Sequence, residues 1–155
     1  MPHQPSPHAL RAPRTLRHLL LSAALATALP ACALAAACPT SQGAYTAAQA
    51  ATGKRLYMAN CAQCHNDDLK GNSGPALAGP DFDSYLHFTK ISAAQILSFM
   101  QSQMPYQAPG SLKPDEYQAI FAYILQVNGY RAGARALDAT HASCISMLPY
   151  PGDKP

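Results

Sequence analysis

Cys61-Ala62-Gln63-Cys64-His65 places two thiols and an imidazole within five residues, and no other feature constrains the chain as much. The C-x-x-C-H run is the attachment motif of c-type haem. Each thiol adds to one vinyl group of the porphyrin, and the residue after the second Cys turns its imidazole onto the iron as proximal ligand. A thioredoxin-like pair would need the C-x-x-C beside a βαβ pattern. A zinc ribbon would need a second Cys/His pair at ligand spacing. The sequence offers neither. Cys61 and Cys64 are therefore read as thioether anchors for one covalent haem c, with His65 on its iron.

The first 35 residues read as an address. A polar, Pro-rich, positive stretch with Arg11, Arg14 and Arg17 precedes Leu19–Leu29, 11 residues without a charge. Pro30 follows, and Ala33-Leu34-Ala35 puts small residues where a signal peptidase reads. This is the layout of a secretory signal, with cleavage expected near residue 35 or 37. A membrane span would need about 20 apolar residues. The alternative is a lipoprotein signal, Leu29-Pro30-Ala31-Cys32, acylated at Cys32. Either reading sends the protein out of the cytoplasm, with the periplasm as the expected compartment.

Charge argues against a nucleic-acid binder. The formal net charge is +3, but the three early arginines account for it, and all eight acids lie from Asp67 onward against eight remaining basic residues. A neutral body lacks the basic footprint that nucleic acid requires. The available lysines are only Lys54, Lys70, Lys90, Lys113 and Lys154, interleaved with acids, so weak, mildly salt-dependent steering is expected.

The five cysteines are Cys32, Cys38, Cys61, Cys64 and Cys144. With Cys32 removed and the motif pair on haem, Cys38 and Cys144 remain, an even number in an oxidising compartment. A disulfide between them would tie the C-terminal tail to the mature N-terminus.

Period 3.6 governs the mature chain, and no period-2 run occurs. Thr46-Ala47-Ala48-Gln49 reads as a capping box opening a helix through Gly53, Leu56 and Tyr57 into the motif. Residues 66–80, rich in Gly, Pro, Asn and Asp, read as loop. Ser92-Ala93-Ala94-Gln95 is a second box, starting a helix whose apolar face is Ile96, Phe99 and Met100. Pro105, Pro109 and Gly110 end it. Pro114, Asp115 and Glu116 open the last helix, with the stripe Tyr117, Ile120, Phe121, Ile124, Leu125 and a Gly129 terminator. The expectation is one all-α domain over residues 36–130 and an irregular tail over 131–155.

From the haem motif outward, about residues 45–130, the chain resembles the class I c-type cytochromes. The resemblance rests on Gly53 and Tyr57, Cys64-His65, Gly74-Pro75-Ala76-Leu77, Gln103-Met104-Pro105, and Ser111-Leu112 through Asn128-Gly129. It implies a cytochrome c fold of three to five helices around one haem. It also implies that the N- and C-terminal helices cross at Gly53 and Tyr57, and that the Pro75 carbonyl receives the His65 ring N–H. The run from Met104-Pro105 to Ala132-Gly133 is similar, more narrowly, to small periplasmic cytochromes associated with quinoprotein (PQQ-dependent) dehydrogenases. Asn66 stands where the family often has Gly, and Asn tolerates the left-handed conformation better than most residues.

A thioether as sixth ligand favours Fe(II) and raises the potential. Met58 is too near Cys61, Met147 lies in the tail, and Met100 sits on an apolar stripe where a Met usually packs. Met104, followed by Pro105, leaves the helix on a loop and is the expected ligand. His87 and His141 are the bis-histidine alternatives.

A saturated His/Met site suits electron transfer between a dehydrogenase and a terminal acceptor, with no catalytic residues of its own. The partners expected are redox proteins, a PQQ-dependent dehydrogenase and a terminal oxidase among them, met by a monomer or loosely bound subunit. Two readings compete: a haem subunit of a dehydrogenase or oxidase complex, and a ligand-binding haem protein should Met104 be off the iron.

Overall fold

The structure is a computed structural model that describes Cys38 and residues 43–153. The signal segment, its cleavage positions and Cys32 lie outside those residues, as do Lys154 and Pro155. Among the described residues there are six α-helices: α1 Ala47–Asn60, α2 Ala62–His65, α3 Pro80–Thr89, α4 Ala93–Gln103, α5 Pro114–Val127 and α6 Ala139–Ala142. A 3-10 turn, Pro151–Asp153, ends the description. The only sheet-like pairing among them is an isolated parallel bridge from Tyr45 to Ala132. The fold is all-α, as the period predicts. The count exceeds three to five because α2 and α6 are single turns of four residues each.

Helix α1 buries Ala50, Gly53 and Tyr57 along one face and packs most extensively on α5. At the crossing, a Cβ on Gly53 would stand 1.7 Å from the Ala119 carbonyl oxygen, so only Gly lets the backbones approach this closely. The Tyr57 and Tyr123 rings meet at 5.4 Å, tilted. α5 is buried almost all round, from Tyr117 to Leu125. Each large apolar side chain it buries contributes roughly 1.5–3 kcal/mol. Its C-terminus closes as a Schellman motif: Gly129 at φ +79 donates to Gln126 O, and Tyr130 N donates to Leu125 O at 3.1 Å.

The two predicted capping boxes differ. Ser92 and Gln95 form the complete reciprocal pair, at 3.2 Å and 2.9 Å. At Thr46 only half forms: its hydroxyl accepts from Gln49 N. The Gln49 amide instead bonds both backbone groups of Leu137, each at 2.8 Å. A two-bond link to a buried tail residue displaces the local return bond.

Helix α3 was not expected. Its start signals are ordinary ones: Pro80 at the first turn with Asp81 and Asp83 beside it, and Phe82 and Leu86 buried at i, i+4. Residue 79 is therefore where the loop ends.

The tail is tied at many points. Cys144 is bonded to Cys38 with Cα atoms 5.2 Å apart. Ala44 N bonds Arg131 O, Gly133 N bonds Tyr45 O, and the Tyr130 hydroxyl donates to Met147 O at 2.6 Å. The Tyr150 hydroxyl donates to the buried Asn128 side chain and accepts from Gly79 N at 3.0 Å. Among the described residues no helix is long and apolar enough to cross a membrane.

Candidate haem site

A cavity of about 730 Å³ opens where α2, the following loop, α3, α4 and the chain after α4 converge. Cys61, Cys64, His65, Met100 and Met104 all reach it. Its walls are otherwise mostly apolar, with Leu77, Phe82, Ile91, Ile96, Phe99 and Ile124 among them. The apolar stripe Ile96, Phe99, Met100 of α4 lines the cavity. The core face is Ala93, Leu97 and Met100. One helix thus serves two apolar surfaces, which leaves Phe99 53% exposed.

The C-x-x-C-H run forms by local bonding. Cys64 N and His65 N both return to the Cys61 carbonyl, at 3.1 Å and 3.0 Å, so α2 is one tight turn that sets both sulfurs and the imidazole on the cavity. Cys61 and Cys64 are not disulfide-bonded. Burial, with Cys64 nearby, pushes the Cys61 thiol up to about 11. The chain then turns at Asn66, whose carbonyl accepts from the Tyr57 hydroxyl at 2.7 Å. Burial holds that hydroxyl well above the ordinary tyrosine range.

Asn66 adopts φ 65, ψ 158. This is not the left-handed helical well that Asn tolerates, where ψ is near +45. It approaches the region that only Gly occupies without strain. The expectation that Asn is a ready substitute here is corrected.

His65 is buried, and its Nδ1 lies 2.8 Å from the Pro75 carbonyl oxygen. A carbonyl can only accept, so Nδ1 carries the proton and Nε2 keeps its lone pair for a metal. Gly74 makes this possible: a Cβ there would stand 2.9 Å from His65 Cε1. Gly74 N also donates to Cys64 O at 2.8 Å, which fastens the loop to the motif. Farther along, the buried Asn128 amide donates to Leu77 O and Ile124 O, both at 2.8 Å, bracing the same loop from α5. Neither Gly74's fit to the ring nor Asn128's brace is written in local sequence signals.

The other candidates are sorted by place. Met58 is 43% exposed on α1, and Met147 is buried in the tail; neither lines this cavity. His87 lies 3.4 Å from Asp83, and His141 Nδ1 is 3.1 Å from Ala136 O, both away from the cavity. Met100 and Met104 line it together, as i, i+4 spacing from the last turn of α4 requires. Asp81 is the one charged residue among those lining it.

The residues present fit a haem. The cavity has the size and apolar lining of a cofactor site, and two thiols, an imidazole with a free Nε2 and two thioethers share it. Among the described residues no cluster of three His, Cys, Asp or Glu could hold a bare metal ion.

Comparison with known proteins agrees. The profile of the family described as cytochrome c oxidase, cbb3-type, subunit III matches residues 48–124. A solved structure of the sulfane dehydrogenase SoxCD from Paracoccus pantotrophus contains a similar chain, at 26% identity and a TM-score of 0.51. The likeness covers 68% of this chain and 56% of that one, so this chain spans little more than half of its relative's length. Comparison with curated proteins gave no significant match. Motif, cavity and both likenesses support a class I-like c-type cytochrome domain that transfers electrons through one covalently bound haem c.

Proposed function

We propose that the domain is a periplasmic electron carrier whose haem iron is held by His65 and Met104. The bound haem supplies a one-electron Fe(III)/Fe(II) couple. The carrying observation is that His65, with Nδ1 committed to Pro75, and Met104 line one cavity from different elements. Met104 caps α4 with extended backbone, φ −120, ψ 155, where a side chain is released from helical packing. With His65 and Met104 both holding the iron, the site would move electrons and make no bonds in a substrate. Export rests on the signal segment. A dehydrogenase as donor and a terminal oxidase as acceptor fit a carrier in that compartment.

Replacing Met104 with Ala is expected to abolish the sulfur-to-iron charge-transfer band of the oxidised protein and to admit carbon monoxide to the reduced protein. A variant that keeps the band would overturn the assignment and point to Met100.

A second reading has its own support. The likeness to a SoxCD chain raises the case for a haem subunit within a dehydrogenase complex. In that case the protein would co-purify from its native cells with a larger oxidoreductase chain, rather than alone.

A further inference from the structure

Beyond Met104 the chain runs over the surface: Tyr106 is 79% exposed, and residues 107–111 are exposed too. Its first residues, Pro105, Tyr106 and Gln107, line the haem cavity, and few protein side chains pack on the rest of the loop, which begins at the residue read as the second iron ligand. Its backbone is fastened instead by hydrogen bonds. Met104 N returns to Met100 O at 3.1 Å, and Gly110 N reaches Met104 O at 3.2 Å. One further group touches both ends. The Tyr117 hydroxyl donates to Met104 O at 2.5 Å and accepts from Leu112 N at 3.4 Å. Tyr117 itself is buried on α5, at 3% exposure, so its ring is fixed by the core.

We infer that Tyr117 is the positioning residue for the distal ligand, its hydroxyl tethering the Met104 loop to α5. The inference rests on the reading that Met104 ligates the iron. A phenylalanine would serve the apolar stripe of α5 equally well; the hydroxyl adds only the loop clasp. Any excursion that takes Met104 off the iron by moving the loop must break this bond first. A neutral hydrogen bond contributes modestly, so its loss should raise the population of the displaced loop about fivefold.

The test uses the oxidised holoprotein and free imidazole, which enters only when the sulfur leaves. Tyr117→Phe should retain the charge-transfer band but bind imidazole about fivefold faster. A purely structural role would lower the denaturation midpoint while leaving the imidazole rate unchanged, and that result overturns the inference. Failure of the underlying reading looks different: the wild-type protein would then lack the band, or Met104→Ala would keep it. Amide exchange on the wild-type protein gives a second measurement that needs no variant. Binding imidazole should speed exchange at Leu112, whose acceptor is the Tyr117 hydroxyl. Leu112 protection unchanged by imidazole would mean that the sulfur leaves without breaking the clasp, and would overturn the inference as well.

Discussion

At the scale of single residues, the chain accepts local strain next to its cofactor motif. Asn66 immediately follows His65 at φ 65, ψ 158, and backbone in such regions costs of order 1–3 kcal/mol for a non-glycine residue. What Asn regains is small: its Oδ1 accepts from Asp67 N at 3.1 Å in an exposed position. Asn66→Gly is expected to stabilise the fold by about 1 kcal/mol after the extra chain entropy of Gly is set against the relieved strain. Urea denaturation of the haem-loaded protein measures it, and a lower midpoint would contradict the reading. Residue type alone could not reveal this, because Asn tolerates one positive-φ well and not the other, and ψ is set by the turn back towards Leu69. The thioether cysteines and His65 were legible, since five adjacent residues contain all the chemistry. Tyr117 was legible only as an apolar stripe member, because its hydroxyl's partner lies 13 residues away.

At the scale of elements, the crossing of α1 and α5 organises the domain, and Gly53 is its narrowest point. Gly53→Ala would gain about 1 kcal/mol of helix propensity. It would also press a methyl group onto the Ala119 backbone, 1.7 Å from the oxygen and 2.4 Å from the carbonyl carbon. Backbone atoms cannot rotate aside as a side chain can, so a net loss of about 3 kcal/mol is expected. Thermal unfolding followed by helical circular dichroism checks it, and an unchanged midpoint would place the crossing elsewhere. α1, α4 and α5 were legible because caps and apolar spacing agree within each. α3 is only weakly signalled locally, because its glycine- and proline-rich approach reads as loop and ten residues give a weak period. The stripe on α4 is legible as an apolar face, but its role is not. Apolar spacing says that a face is covered, not whether protein or cofactor covers it.

At the scale of the whole molecule, the matched domain ends at residue 124, yet the described chain continues through a tail tied down along its length. The Cys38–Cys144 bond closes a loop with a sequence separation of 106, for which chain entropy sets an upper contribution of ~4–5 kcal/mol. Among the described residues, none beyond Ile124 lines the haem cavity. Cys144→Ser should therefore lower the thermal midpoint clearly while leaving the room-temperature haem spectrum unchanged. A changed spectrum would show that the tail shapes the site. Tyr150 is the route to watch, since it packs edge-on against Phe82, a cavity residue.

Sequence alone determined the haem motif, the helical period and the principal caps, because each depends on residues within one or two turns of one another, and the neutral charge of the body, because that is a count independent of fold. Tertiary structure alone decided that Gly74 lies against the His65 ring, that Gln49 serves Leu137 rather than its own helix, and that Tyr117 clasps the Met104 loop. Those contacts join residues 9 to 88 positions apart. Short-range periodicity carries no information about which buried polar group will find which distant partner once the helices cross.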